Sequence, residues 1–283
     1  MPPETPMPRN PGMRFVTNRP QYAAGTVLPG YPAIQSVLYS DLDCEVYLLE
    51  SSSRGCLIAI GLRSPGEGVV PPQSDLEQWM AEHGVKLVGR RVISSHEAAK
   101  KTRLELFAKV SGTWMAQHPK DPLRECELYS LLYALLELGF QAAAIGFNVA
   151  MVPPLLWLDG PAHAARLSSI FMRKTTISES EVVRQIAATF LWHATGIDAL
   201  ERRALLDHER VEQWCQNADA GLARVIERCL DTTNPIGSLS DLRNELDLGV
   251  ARLAAVGRID GQSLKRYVAI GPYRVVRFSS DMP

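Results

Sequence analysis

The stretch AIQSVLYSDLDCEVYLLESSSRGCLIAIGL, residues 33–62, contains three β-like runs separated by two turns. The runs are residues 33–39, 44–50 and 56–62, and the segments between them are built from Asp, Ser and Gly, which favour turns. Short turns between consecutive strands predict an antiparallel meander. The third run is apolar on both faces, so we expect it to be the central strand.

The residues that follow predict helices beside this sheet. Ser74 and Glu77 form a capping box and Gly84 follows as a stop, which predicts a short helix over 74–84. Residues 85–93 predict a strand, and Ser94 or Ser95 opens a segment expected to be helical to about Met115. The fold class predicted is therefore α+β, a small antiparallel sheet with flanking helices.

A helical region is predicted after this sheet. Asp121 is a suitable N-cap, Pro122 suits the first helical position, and apolar residues recur up to a stop at Gly139. Similar signals predict four further helices, at residues 161–173, 178–193, 197–217 and 219–230.

The C-terminal tail predicts two short helices, over residues 238–246 and 249–256, followed by a hairpin over 267–278. This order of parts is that of a winged-helix module, in which a helix enters the major groove and the hairpin contacts the DNA backbone. In the alternative, the hairpin supplies the last strands of the main sheet.

Four regions are predicted along the chain. Residues 1–32 contain eight prolines, and proline removes a backbone donor, so we expect an extended arm there. The regions are a Pro-rich arm at 1–32, an α+β region at 33–120, a helical region at 121–232, and a helix plus hairpin tail at 233–283.

Composition indicates a soluble cytoplasmic protein. Apolar residues make up 46% of the chain, and 30 Lys and Arg balance 31 Asp and Glu, so no overall charge attracts polyanions. The five cysteines form no C-x-x-C pair and are expected to be reduced. We find no secretory signal, although a secreted effector without a cleavable signal would look the same. The apolar run 129–158 is interrupted by Gly and Pro and contains Glu137, so we expect no membrane contact.

The strongest local charge signal is in residues 84–124, where nine basic residues outnumber three acidic ones. Lys and Arg on one face displace counterions from a phosphate backbone, so this segment and the basic tail could bind nucleic acid. In the alternative, the segment is simply a solvated face. The predicted nucleic-acid-binding residues are Arg90, Arg91, Lys100, Lys101, Arg103, Lys109, Lys265, Arg266 and Arg274.

Signatures of catalysis are not recognisable in the sequence. The six histidines form no metal-ligand cluster, and His193 and His208-Glu209 would supply ligands only if their helices packed together. The E-x-E spacing of Glu179 and Glu181 resembles the paired glutamates of arginine-directed ADP-ribosyltransferases over three residues, but the family's other elements are not recognisable upstream. A capping box from Ser178 accounts for Glu181 without chemistry. We therefore expect no cofactor and no metal, and identify no catalytic residue.

The function predicted from the sequence is a non-catalytic binding or scaffold subunit that contacts nucleic acid, and protein partners, within a larger assembly. Two alternatives stay open. One is an enzyme, a hydrolase or transferase, with a site assembled between the sheet and the helical layer. The other is a protein-only adaptor, which would present an exposed apolar patch instead of a basic one.

Overall fold

The fold is α+β, and the chain divides into two compact units, Met1–Ser111 with Ser168–Phe171, and Gly112–Leu167 with Met172–Pro283. The helix predicted at 74–84 and the hairpin predicted at 267–278 lie outside the described residues. The computed structural model describes residues 19–28, 31–40, 44–49, 57–62, 87–94, 101–108, 113–115, 123–144, 146, 148–149, 151, 153, 156–159, 166–170, 174–175, 177–197, 199 and 205–258.

The first unit contains a five-stranded antiparallel sheet of order β1-β2-β3-β5-β4. The predicted meander is confirmed, and so is the central position of its third strand. The strands are β1 (Ile34–Ser40), β2 (Cys44–Leu49), β3 (Leu57–Leu62), β4 (Leu87–Ser94) and β5 (Lys101–Ala108).

The helix predicted from Ser94 or Ser95 to Met115 is wrong, because this segment contains β5 and a short strand, β6 (Thr113–Trp114). The sequence KTRLELFA alternates polar Lys101, Arg103 and Glu105 with Thr102 and two leucines. That spacing of two is the period of a strand. The helix-start signal at the serines was local, whereas pairing of β5 with both β3 and β4 decides the structure.

Four buried apolar residues form a compact cluster in the sheet unit: Leu28 before β1, Ile34 of β1, and Tyr47 and Leu49 of β2. The residues before β1 are tied to it, since Gly25 N donates to Ile34 O at 2.8 Å and Ile34 N donates to Thr26 O at 2.9 Å. The end of the predicted proline-rich arm is thus part of the packed sheet unit.

The second unit is mainly helical. Its helices are α1 (Glu125–Ala144), α2 (Glu179–Thr195), α3 (Leu205–Asn217), α4 (Ala220–Leu230) and α5 (Leu239–Ala255). Four more short strands in the chain are β7 (Asn148–Val149), β8 (Leu156–Asp159), β9 (Arg166–Ile170) and β10 (Lys174–Thr175). Together with β6, these strands form two small sheets, β6-β8-β9 and β10-β7.

Two helix predictions differ from the structure. The segment predicted as a helix at 161–173 contains β9, where Ser168 and Ser169 compete with the helical backbone for hydrogen bonds. The helix predicted at 197–217 begins only at Leu205. By contrast, the N-cap predicted at Ser178 is confirmed, since Ser178 accepts from Glu181 N. The helix predicted from Asp219 is present, and Asp219 is its N-cap, accepting from Gly221 N.

Two glycines predicted to end or separate helices instead allow close packing. Helix α1 continues through Gly139, where a Cβ would lie 2.9 Å from Leu239 Cδ2. Helix α5 continues through Gly249, where a Cβ would lie 2.6 Å from Tyr129 Oη. The two short tail helices are therefore one helix, and the winged-helix order of parts is not confirmed.

The core of the helical unit lies between α1 and α2. Leu132, Leu135 and Leu136 of α1 are fully buried, as are Ile186 and Phe190 of α2. Burial of such side chains contributes about 1.5–3 kcal/mol each. This packing positions the polar contacts described below.

Candidate functional site

The structure places four of the nine predicted nucleic-acid-binding residues on one pair of strands, β4 and β5, which we call the edge hairpin. Arg90 and Arg91 lie on β4, which is the last strand of the sheet, and Lys101 and Arg103 lie on β5. The other five lie outside the described residues: Lys100, Lys109, Lys265, Arg266 and Arg274.

The pairing of β4 with β5 determines which face of the sheet each charged position occupies. Arg90 lies opposite Glu105, and Lys101 lies opposite Ser94. Arg103 lies opposite Val92 on one side and Leu62 on the other. Because positions two apart along a strand share a face, positions 101 and 103 fall on one face of the sheet. Position 90 belongs to that face through its pairing with Glu105, so the face holds three basic positions and one acidic position.

In the same sheet unit, Glu45 is a fully buried carboxylate. It accepts hydrogen bonds from Gln21 N at 2.7 Å, from the Tyr47 hydroxyl, and from Ser40 Oγ at 3.5 Å. A buried carboxylate requires such donors, because an unpaired one would cost several kcal/mol. These contacts give Glu45 a structural role that links residues before β1 to β2.

In the helical unit, Tyr129 of α1 connects three helices. Its buried hydroxyl donates to Asp219 Oδ2 at 3.1 Å and lies where a Cβ on Gly249 of α5 would clash. Asp219 also caps α4, since the same oxygen accepts from Gly221 N at 2.9 Å and Leu222 N at 3.1 Å. Glycine at 249 is therefore required by the close approach of α1 to α5.

Arg258 completes this cluster just after α5. Its guanidinium donates to Glu125 Oε1 at 2.7 Å and lies 3.7 Å from Asp219 Oδ1. Burial, with help from Asp219, raises the pKa of the Tyr129 phenol above its ordinary value of 10.0. The phenol therefore stays protonated and acts as a hydrogen-bond donor.

A second tyrosine clamps α1 to α5. The Tyr133 hydroxyl donates to Asp247 Oδ1 at 2.6 Å, and Arg243 Nε donates to the same oxygen at 3.1 Å. The Arg243 guanidinium lies 5.0 Å from the centroid of the Tyr133 ring, a cation–π distance. Burial, followed by the hydrogen bond to Asp247, raises the pKa of Tyr133 as well.

One face of α2 carries three polar side chains that bond to backbone. Gln185 Oε1 accepts from Met151 N at 2.9 Å, and Thr189 Oγ1 donates to Met151 O at 2.6 Å. One turn further, His193 Nδ1 lies 3.0 Å from Met115 O; a carbonyl only accepts, so Nδ1 carries the proton. We call these three residues the α2 polar stripe.

Both glutamates of the E-x-E spacing have structural partners. Glu179 Oε1 accepts from Leu239 N, the first residue of α5, at 2.8 Å. Glu181 accepts from Arg184 Nε at 2.7 Å and from Gln185 Nε2 at 3.2 Å. The hydrogen bond that Arg184 donates to Glu181 raises the pKa of Arg184. The first contact joins α2 to α5, and the others stabilise the first turns of α2.

The buried thiols are held in their protonated form. Burial raises the pKa of Cys215 to about 12, with a further contribution from Glu227. Burial also raises the pKa of Cys229 to about 12. A thiol becomes a nucleophile or a metal ligand only as the thiolate, so neither is suited to such chemistry. Among the described residues, no three His, Cys, Asp or Glu side chains are grouped as metal ligands would be.

The contacts of Tyr129 and of the α2 polar stripe are not predictable from the sequence. Asp219 is separated from Tyr129 by 90 positions, so no local spacing announces their contact. The stripe leaves a weak signal in the sequence, because Gln185, Thr189 and His193 recur every four residues and the residues between them are apolar. The pattern shows that they share a helical face, but it does not identify their partners.

Comparisons with known proteins place this chain in no family. No family model matches it, and no curated protein matches it. Among solved structures it is similar to an apo pseudokinase, with 13% sequence identity and a TM-score of 0.44, over 83% of this chain and 99% of the other. None of the helices in the described part of the chain is long and apolar enough to cross a membrane.

Proposed function

We propose that the protein is a non-catalytic binding subunit that contacts nucleic acid through the edge hairpin, as part of a larger assembly. The observation that carries this proposal is the grouping of Arg90, Lys101 and Arg103 at positions of one face, on β4, the last strand of the sheet in the described residues, and on its neighbour β5. Side chains of Lys and Arg on such a face can follow a phosphate backbone.

The bonding of the helical unit supports a role without catalysis. Tyr129, Tyr133 and Thr189 donate to Asp219, Asp247 and Met151 O, which are structural acceptors. The raised pKa values of Cys215 and Cys229 disfavour nucleophilic chemistry at these thiols. Side chains of this kind rigidify a scaffold.

The overall charge balance requires that phosphate be attracted by one part of the surface. The whole chain contains 30 basic and 31 acidic residues, so its net charge does not attract phosphate and a local basic patch must do so. Binding through a few Lys and Arg residues releases few counterions. We therefore expect modest affinity at low salt that falls as salt rises.

The test is a salt titration of binding to mixed single- and double-stranded nucleic acid, followed by fluorescence anisotropy. Arg103→Glu should weaken binding and reduce the slope of log affinity against log salt by about one unit or more. Lys101→Glu should do the same, and the double variant should lose more than either single variant.

The matched control is Arg224→Glu, which makes the same change of charge on the exposed side of α4. It should leave both the affinity and the slope unchanged. No binding at low salt, or an equal loss in the control, would contradict the proposal. Thermal unfolding of each variant shows that it is folded.

The second candidate function is a protein-only adaptor. Among the described residues of the helical unit, two large apolar side chains are exposed, Leu248 at 55% and Val256 at 68%. Exposed apolar residues close together are typical of protein-binding surfaces. The same titration separates the two candidates, because an adaptor of this kind would show no salt-sensitive binding of nucleic acid. The enzyme alternative stays a prediction.

A further inference from the structure

Helix α5 has one buried face and one exposed face. The buried residues Leu242, Leu246, Val250 and Leu253 pack into the helical unit. The opposite face is exposed, and we call it the α5 outer face. Its residues recur every three or four positions, as members of one helical face do, and all of them are exposed: Asp241, Asn244, Leu248, Ala251, Arg252 and Ala255.

Charge on the α5 outer face changes sign along the helix. Asp241 lies in the first turn, and Glu245, partly exposed and bonded to Arg228, borders the face one turn later. Leu248 marks the middle of the face. Arg252 lies in the last turn, so the two halves of the face carry opposite charges.

Such a face is complementary to itself when two copies run antiparallel. If a two-fold axis passes at Leu248, residues equally far from it on the two copies are level with one another. Arg252 is then level with Asn244 of the second copy, between Asp241 and Glu245 of that copy. The exposed Asp241 carboxylate then comes within reach of the long Arg252 side chain, while Glu245 is already paired with Arg228, and the arrangement occurs twice by symmetry.

We propose that the α5 outer face binds a second copy of this chain, in an antiparallel pair with Leu248 against Leu248 at its centre. The small side chains of Ala251 and Ala255 allow the close approach that helix packing requires, at 8–10 Å between axes. A parallel pair would place Arg252 against Arg252, so the charges select the antiparallel arrangement.

We expect the dimer of two chains to be weak. One helix face covers less than the roughly 1,200 Å² of total surface that a stable interface buries. The dimer should therefore form at high protein concentration and dissociate on dilution. This inference goes beyond the proposed nucleic-acid function and does not depend on it.

The test is sedimentation velocity of the full chain over a concentration series. The wild type should rise from monomer towards twice the monomer mass. Leu248→Glu places two carboxylates together on the axis, and it should weaken dimerisation by at least about tenfold. Because Leu248 is exposed, this variant should fold normally, which thermal unfolding checks. Arg224→Glu, which changes an exposed charge on α4 instead of α5, should dimerise like the wild type.

Two further variants test the arrangement itself. Arg252→Glu should weaken the dimer, and adding Asp241→Lys to it should restore association, because the charges are exchanged. Leu248→Cys should form an intermolecular disulfide under mild oxidation, whereas Arg224→Cys and the wild type should not. A chain that stays monomeric at the highest concentration, a dimer indifferent to Leu248→Glu, or the absence of this cross-link would overturn the proposal.

Discussion

Replacing Gly249 with alanine tests the close approach of α1 to α5. The new Cβ would lie 2.6 Å from Tyr129 Oη and 3.3 Å from the ring atoms Cε1 and Cζ. The hydroxyl cannot move away freely, because it is buried and donates to Asp219, which caps α4. Tyr129 would have to shift, and its hydrogen bond would weaken.

The expected magnitude is the balance of three effects. Alanine in a helix is favoured over glycine by about 1 kcal/mol. Overpacking a tight site costs about 1–3 kcal/mol, and weakening a hydrogen bond to a charged group costs up to about 1.5–3 kcal/mol. Gly249→Ala should therefore lower the free energy of unfolding by about 2 kcal/mol, although the same change stabilises most helices.

Urea unfolding followed by tryptophan fluorescence measures this change, since Trp192 and Trp214 lie in the helical unit. Tyr129→Phe removes the oxygen that the Cβ would meet and should itself cost about 1.5 kcal/mol. The double variant should then be nearly as stable as Tyr129→Phe alone, which gives a large coupling in a double-mutant cycle.

A control variant makes the result decisive. Gly237→Ala places its Cβ in open space and should change stability by less than about 0.5 kcal/mol. If Gly249→Ala were as stable as the wild type, or if its effect simply added to that of Tyr129→Phe, the argument from this contact would be refuted.

Two further predictions concern other buried groups. Thr189→Val should lower the free energy of unfolding by about 1–3 kcal/mol, because Met151 O loses its buried donor, while Thr189→Ser should restore most of it in the same urea assay. Cys215 and Cys229 should resist alkylation at pH 8 in the folded protein and react quickly in urea, as mass spectrometry can show. Their raised pKa contributes stability that is present below the ordinary value of 9.0 and is lost as the pH rises towards about 12. Equal labelling of folded and unfolded protein would contradict this.

The sheet could be predicted from the sequence because its signals are local. The runs at 33–62 alternate with turn residues, and each strand pairs with its neighbour in the chain. The sequence predicts a helix in place of β5 because a cap-like serine pair precedes it, although Lys101, Arg103 and Glu105 follow the period of two that is typical of a strand. Its pairing with β3 crosses residues 63–100, a distance that no local pattern covers.

Glycine explains the main errors in the helical unit. Gly139 is predicted to end a helix, since glycine weakens a helix, and Gly249 is predicted to begin a second tail helix. Both lie inside helices because Leu239 and Tyr129 pack against their missing side chains. A sequence shows the glycine but not the neighbour, so the same residue type predicts a break where tertiary contacts require continuity.

The candidate surfaces were predictable to different degrees. The basic composition of Arg90, Arg91, Lys101 and Arg103 is visible in the sequence, while their grouping on the edge hairpin depends on the register of β4 with β5. The α5 outer face could not be predicted, because the two short helices expected from the sequence divide its residues between them. Only a continuous helix brings Asp241, Leu248 and Arg252 onto one face.

Hydrogen exchange of the full chain with and without nucleic acid, at low salt, locates the binding surface on the protein. We predict that added nucleic acid slows exchange in Leu87–Ser94 and Lys101–Ala108, that this protection disappears at high salt, and that the helices keep their exchange rates. Protection confined to the helical unit, or no protection at any salt concentration, would contradict the claim that the edge hairpin is the binding surface.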